Sequence, residues 1–263
     1  VLVATFVGDR VPHVSLGQVH GVYREALHLR WEDRSWTVVL FGGAGEDYPW
    51  GVRVCGRRPD VSSVVVATVD REVLRVGSWC ACLPRRSSMP QRPVGHIGYS
   101  RATEIFLREL LDGPRDRLSA VDRRVLDLHH PPHRSASLSG VGSLAPWRSV
   151  IGAGSGLTPF GDDLVVGTLA ALRATGQACP DPIDLVDLQS MTTGPSAWLL
   201  HMGWNGVFGS KLWAMATAGA RGDTADLAVR TERVTQMGGS SGTGWALGVA
   251  SGLSMTLGAS ERS

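Results

Sequence analysis

The chain has 263 residues, 43% of them hydrophobic and 19% charged. That is enough apolar material for one large folded domain or two smaller ones, and too much for a disordered tail. A formal net charge of +2 argues against a dedicated nucleic-acid binder, which carries a dense basic face. Nearly all the positive charge is arginine, so Schiff-base or P-loop lysine chemistry has only Lys211 to use.

The first eighty residues read as strands. Val1–Val7, Leu27–Trp31, Ser35–Phe41, Gly51–Cys55, Val61–Val69 and Glu72–Val76 are β-branched or alternating runs. Turn-type residues separate them, and Glu32-Asp33-Arg34 predicts a hairpin with Trp36–Leu40 as the return strand. A Pro/Arg/Ser segment from Pro84 to Pro93 marks a linker. Beyond it the apolar period becomes helical, first at Ile105, Leu107, Leu110 and Leu111, then at Leu118, Val121, Val125, Leu126 and Leu128. A second break spans His129 to Gly142. The remaining helices are predicted at 161–174, 183–190, 195–203, 209–218, 224–236 and 244–257. The expected fold class is therefore α+β, with a β-rich subdomain over 1–83 and a mainly helical one over 96–263.

Two glycine-rich loops enter helices. Gly152-Ala153-Gly154-Ser155-Gly156-Leu157-Thr158-Pro159-Phe160-Gly161-Asp162-Asp163 leads into an apolar helix, and Gly238-Gly239-Ser240-Ser241-Gly242-Thr243-Gly244 leads into another. Glycines turn backbone amides toward one point, and a helix start leaves its first N–H groups free, so each loop suits an anion. Neither the P-loop nor the dinucleotide fingerprint is met. A third start is Thr192-Thr193-Gly194-Pro195-Ser196, with Pro195 suited to the first turn. We expect the three starts to converge. Asp162 and Asp163 invite two readings. One of them caps the helix, and the second holds Mg²⁺, orients a substrate NH₂ or acts as a base. Free amides favour an anion and two carboxylates repel one. A ligand with both an acceptor end and an amide-like donor end reconciles the two, and so does a bridging Mg²⁺.

At these residues the sequence resembles a known family. Gly154-Ser155-Gly156-Leu157-Thr158-Pro159-x-Gly161-Asp162-Asp163-x-x-x-Gly167 is similar to the signature of the AllH-like family. Gly17-Gln18-Val19-His20-Gly21-Val22-Tyr23 with Ala26–Leu29 resembles its N-terminal strand region, and Thr193-Gly194-Pro195-Ser196 with Leu199-Leu200 and Gly238 to Gly248 resemble its other segments. The resemblance implies a role in oxamate carbamoyltransferase, with carbamoyl phosphate, oxamate or oxalurate as ligand and two partner subunits. This chain departs from the pattern in its last loop. There the family carries a histidine before Ser-Ser-Gly and an aspartate two residues after it, where this chain has Gly239 and Gly244. A relative repurposed as a biosynthetic tailoring enzyme is the expectation that follows.

The expected site thus comprises Asp162 and Asp163 as catalytic groups. Gly154, Ser155, Gly156, Thr158, Gly161, Thr193, Ser196, Ser240, Ser241 and Gly242 are expected to bind substrate. No resident cofactor is expected; the alternatives are a Mg²⁺-dependent hydrolase or phosphotransferase using Asp162 and Asp163 as ligands, and a non-catalytic partner subunit. A homo-oligomer or partner subunits are expected, without nucleic acid or membrane. Arg148, before the first loop, is a candidate anion clamp. The tryptophans of the helical half, including Trp198, Trp204, Trp213 and Trp245, read more readily as core than as a pocket for a large apolar substrate. The prolines among His129, His130 and His133 disfavour zinc, and His201 reads as a core or pocket-edge histidine. Cys55, Cys80, Cys82 and Cys179 form no C-x-x-C pair and no signal peptide is visible, so reduced thiols in the cytoplasm are expected. The uncharged stretch from Val234 to Ser260 is half polar, which predicts a buried helix in place of a membrane anchor.

Overall fold

In the computed structural model, residues 2–42, 47–61, 65–89, 91–95, 100–113, 118–129 and 145–260 are described. The chain divides into two units, Val1–Pro90 and Gln91–Ser263, the first made of strands and the second of helices.

Among the described residues, eight strands form the first unit: β1 Leu2–Val7, β2 Val14–Val22, β3 Ala26–Trp31, β4 Trp36–Phe41, β5 Gly51–Val54, β6 Val66–Asp70, β7 Val73–Val76 and β8 Trp79–Cys82. They close into a barrel in the order β1-β5-β4-β3-β2-β6-β7-β8. Closure comes from β1, which pairs antiparallel with β5 and parallel with β8. Period-2 alternation sends Leu27, Leu29 and Trp31 of β3 inward beside Val39, Val52, Val69 and Leu74, all buried. The indole of Trp31 donates to the Thr37 hydroxyl at 2.8 Å, which satisfies the one polar atom this large side chain brings inside. Gly17 sits opposite Trp31 in the β2–β3 ladder, and a Cβ there would lie 2.7 Å from the indole ring. The predicted hairpin at Glu32–Arg34 is the β3–β4 turn, held by the Asp33 carboxylate accepting from the Ser35 N–H at 2.9 Å.

Two features of the strand pattern differ from expectation. The run from Val61 to Val69 gives only β6, which starts at Val66, and residues 62–64 lie outside the described residues. Neither β8 nor β2 is among the predicted runs. Val14–Val22 is interrupted by Gly17 and Gly21, and Trp79–Cys82 by its cysteines, which masks their alternation.

The second unit holds α1 Arg101–Asp112, α2 Ala120–His129, α3 Ala145–Arg148, α4 Phe160–Ala174, α5 Leu185–Met191, α6 Gly194–Trp204, α7 Ser210–Ala220, α8 Thr224–Thr235 and α9 Ser241–Ser260. Helices α1 and α8 carry one apolar stripe on an otherwise polar surface. Helix α4 is different: every residue from Phe160 to Leu172 is buried. It pairs intimately with α9, and glycines set the distance. A Cβ on Gly167 would lie 2.3 Å from the Trp245 carbonyl oxygen, and one on Gly248 would lie 2.2 Å from that of Leu164. Gly252 lies against Ala171 and Thr168 in the same way. Contacts advance together along both helices, so α4 and α9 run parallel. The Thr168 hydroxyl, 3.0 Å from the Gly248 carbonyl oxygen, donates across the seam. Helix α9 begins three residues earlier than its glycines suggest, and Ser241-Gly242-Thr243 form its first turn. No helix among the described residues is long and apolar enough to cross a membrane.

Candidate functional site

Glycines with positive φ shape the loop ahead of α4. Gly152, Gly154 and Gly156 have φ of +78°, +114° and +101°, values that side-chain-bearing residues rarely adopt. At Gly152 a Cβ would also lie 2.1 Å from the Met191 carbonyl oxygen, so the loop presses against the end of α5. Gly161 lies as tightly against Val150. Among the described residues, the main-chain N–H groups of Gly154, Ser155, Gly156, Leu157 and Thr158 donate to no other group.

Two consecutive carboxylates follow and are treated differently. Asp162 is fully buried, and its carboxylate accepts three hydrogen bonds. The Gly152 N–H donates to Oδ1 at 2.7 Å, the Ser196 hydroxyl to Oδ2 at 2.6 Å, and the Thr192 hydroxyl also to Oδ2. One side chain thereby ties the first loop, the turn before α6 and the first turn of α6 to α4. Burial pushes its pKa up, and the Ser196 and Thr192 hydroxyls and the Gly152 amide pull against that.

Asp163 is equally buried, but among the described residues neither of its oxygens has a hydrogen-bond partner of normal geometry. Burial pushes its carboxyl well above the usual range, and the charge of Asp162 adds to the rise. The Ser241 hydroxyl, the Trp245 indole and the Thr158 hydroxyl lie near enough to pull the pKa partly back. None of the three closes a hydrogen bond of normal geometry to it, although the Trp245 N–H and one hydroxyl proton of the Thr158–Ser241 pair remain available. Thr158 and Ser241 are engaged with each other at 2.7 Å, and the buried Trp245 Nε1 is itself unpartnered. Neither aspartate caps α4: Pro159 stands at the cap position, with no side-chain hydrogen bond there. The capping reading is thus corrected, because the glycine loop brings acceptor-seeking groups to Asp162 from elsewhere in the chain.

The three helix starts meet. Thr193 caps α6 by accepting from the Ser196 N–H at 3.3 Å, and its hydroxyl donates to the Leu157 carbonyl of the first loop. Thr158 reaches α9 through Ser241, and Gly244 lies against Asp163, where a Cβ would be 2.7 Å from the Asp163 Cβ. Gly242 is buried against Val234, Ser240 is half-buried just before α9, and Ser155 and Gly156 are exposed on the loop. The geometry thus joins Gly154, Thr158, Gly161, Asp162, Asp163, Thr193, Ser196 and Ser241 directly.

Three groups at this junction are not among the expected site residues. Thr192 holds Asp162, the Trp245 indole flanks Asp163, and Asp122 of α2 comes close to Gly154. Spacing offers a hint for Thr192, which adjoins Thr193. It offers none for Asp122, which lies far upstream. Arg148 is exposed at the end of α3. Trp204 is buried, its indole donating to the Pro180 carbonyl at 3.2 Å, while Trp198 stacks on half-buried His201. Burial lowers the His201 pKa and Asp184 opposes it. Residues 130–133 of the histidine-proline run lie outside the described residues. All four cysteines are free thiols. Among the described residues, no three His, Cys, Asp or Glu side chains gather as a metal site.

Residues 150–253 match the family model described as oxamate carbamoyltransferase subunit AllH. The matched stretch is AllH-like. It contains both glycine loops, both aspartates and the Thr192–Ser196 turn, so every group that meets at the junction except Asp122 belongs to the AllH-like region. No curated protein and no solved structure matches the chain.

Proposed function

We propose that the AllH-like region binds a small ligand bearing an anionic oxygen at one end and a carboxamide-type NH₂ at the other, as part of an enzyme acting on carbamoyl compounds. The observation that carries this reading is Asp163, a wholly buried carboxyl that closes no hydrogen bond of normal geometry among the described residues, at the meeting point of three helix starts. A folded chain rarely leaves such a group unpaired unless something else completes it. The unpartnered amides of Gly154 to Thr158 receive the anionic end. Asp163 meets the NH₂ end, with the Trp245 indole and the Thr158–Ser241 hydroxyls beside it. Asp162, which already accepts three hydrogen bonds, positions the loops and does not touch the ligand. Mg²⁺ on the paired aspartates is the less favoured reading, because Asp162 has only one acceptor position of Oδ1 left to offer a metal. Oxamate and carbamoyl phosphate both have the required polarity, and the word subunit in the family's description supports partner chains completing the active enzyme.

Calorimetric titration with oxamate and with carbamoyl phosphate, each with and without Mg²⁺, tests the reading. Metal-independent binding of at least one of them is expected, weakened roughly tenfold or more by Asp163→Asn. A strict Mg²⁺ requirement would transfer the site to the metal-dependent reading. Absence of heat from both would leave the pocket to a different substrate, the outcome expected of a repurposed biosynthetic enzyme.

A further inference from the structure

The barrel unit carries a second feature, independent of the helical site. A cavity of about 750 Å³ opens on its outer surface between the start of β2, the β6–β7 turn and the segment after β8. Its floor is a row that the strand register sets across five neighbours. Val14 of β2 pairs with Asp70 of β6, Asp70 with Val73 of β7, Val73 with Cys82 of β8, and Cys82 with Val3 of β1. Inward neighbours Val69, Leu74 and Ala81 are buried, so this row faces out. Val3 is 61% exposed and Val14 68%. Leu16 and Val66 continue the exposed aliphatic surface along β2 and β6.

The rim is cationic. Arg71, Arg85, Arg86 and His13 line the cavity with Glu72, and the exposed Asp70 of the floor row is a second carboxylate beside it. Arg86 is spent on structure, donating to the Val11 and Pro12 carbonyls. Arg71 and Arg85 make no ion pair and no side-chain hydrogen bond among the described residues. Main-chain bonds hold the walls, from Arg71 N–H to His13 at 2.6 Å and from Leu83 N–H to Glu72 at 2.6 Å. Arg71 itself is fixed at φ +42°, an uncommon value for a residue with a side chain. A hydrogen-bonded strand wall bearing two guanidinium groups outside any described ion pair, beside exposed aliphatics, offers a partner both charge and apolar contact.

We propose that this groove docks an acidic, aliphatic-bearing segment of a partner protein. Two observations favour a polypeptide over a small anion: the cavity is open, and its aliphatic floor runs on past it to Leu16 and Val66. The barrel is closed, so a partner finds no free strand edge here and must bind through side chains, carboxylates to Arg71 and Arg85 and aliphatic groups to the valine row.

The test uses the full chain and a fluorescein-labelled peptide about twelve residues long, alternating glutamate and leucine, read by anisotropy. A lysine–leucine peptide, free hexanoate and phosphatidylglycerol vesicles serve as comparisons. Binding of the acidic peptide is expected to weaken with added salt. Arg71→Glu with Arg85→Glu is expected to weaken it about tenfold or more, and Val14→Ser with Val3→Ser to weaken it measurably. Both arginines are exposed, so unchanged thermal unfolding of the charge variant excludes misfolding as the cause. No binding up to millimolar peptide overturns the proposal, as does equal binding of the lysine peptide or indifference to the arginine variants. Competition by hexanoate at equal concentration would reassign the groove to small carboxylates, and vesicle binding lost in the same variants would reassign it to membranes; each result overturns the protein-docking assignment.

Discussion

Adjacent aspartates with the same burial have opposite consequences when removed. Asp162→Ala strands the Gly152 N–H and the Thr192 and Ser196 hydroxyls without an acceptor. Leaving several buried donors unmet costs about 3 kcal/mol or more, and the variant should show a clearly lowered unfolding midpoint in denaturant. Asp163→Asn should do the reverse at neutral pH. The pKa of Asp163 is raised in the folded chain, so the folded state holds a proton that the unfolded state gives up above about pH 4. Its contribution to stability is full below that pH and declines as the pH climbs toward the folded-state value. The wild-type chain should therefore lose stability relative to Asp163→Asn between about pH 4 and neutrality, and paired thermal melts across that range read the difference. Asp162 shifts in the same direction, so wild type must be compared with the Asp163→Asn variant at each pH. Parallel curves would show that Asp163 titrates as an ordinary carboxylate and is not isolated from solvent.

Among the elements, the α4–α9 seam depends on having no side chains at Gly167 of α4 and at Gly248 and Gly252 of α9. Gly248→Ala places a methyl group against the Leu164 carbonyl, which neither backbone can yield without separating the helices. A loss of about 1–3 kcal/mol is expected, visible as a lower melting temperature, while Gly239→Ala, where nothing lies within 4 Å, should leave it unchanged. The same contrast separates the two glycines of the last loop. A side chain at position 244 has no room beside Asp163, so glycine there is a packing requirement of this seam, whereas a Cβ at position 239 would meet nothing within 4 Å. Much of this is legible from the sequence: small residues at Gly167, Ala171, Gly248 and Gly252 announce close helix packing, and Thr193 with Pro195 announces a helix start. What stays hidden is set by distant partners. Asp162 has the local look of a cap, and only the return of Thr192 and Ser196 reveals its other use. Likewise β8 carries two cysteines and a tryptophan in four residues, a composition whose strand character depends on pairing with β7 and β1.

At the scale of the whole molecule, each unit has its own interior. The barrel is filled by its own aliphatic and aromatic residues, and the helical unit is organised about α4. Every residue of the proposed ligand site comes from the second unit. Residues 91–263 expressed alone should therefore retain the affinity of the full chain for whichever of oxamate or carbamoyl phosphate it binds, within about twofold by calorimetry. A large loss would mean that the barrel supplies part of the site. That the first unit is β-rich can be read from its alternating runs, but not that it closes, because closure rests on the parallel pairing of β1 with β8 across most of the unit's length. The parallel course of α4 and α9 has an electrical consequence. Peptide dipoles in each helix add to roughly half a positive charge at its start, and two parallel helices set these like charges side by side, with the start of α6 joining them. The Asp162 carboxylate in the first turn of α4 offsets part of that field. The anion proposed above for the three starts would offset more of it, so ligand binding should also tighten the helix pair.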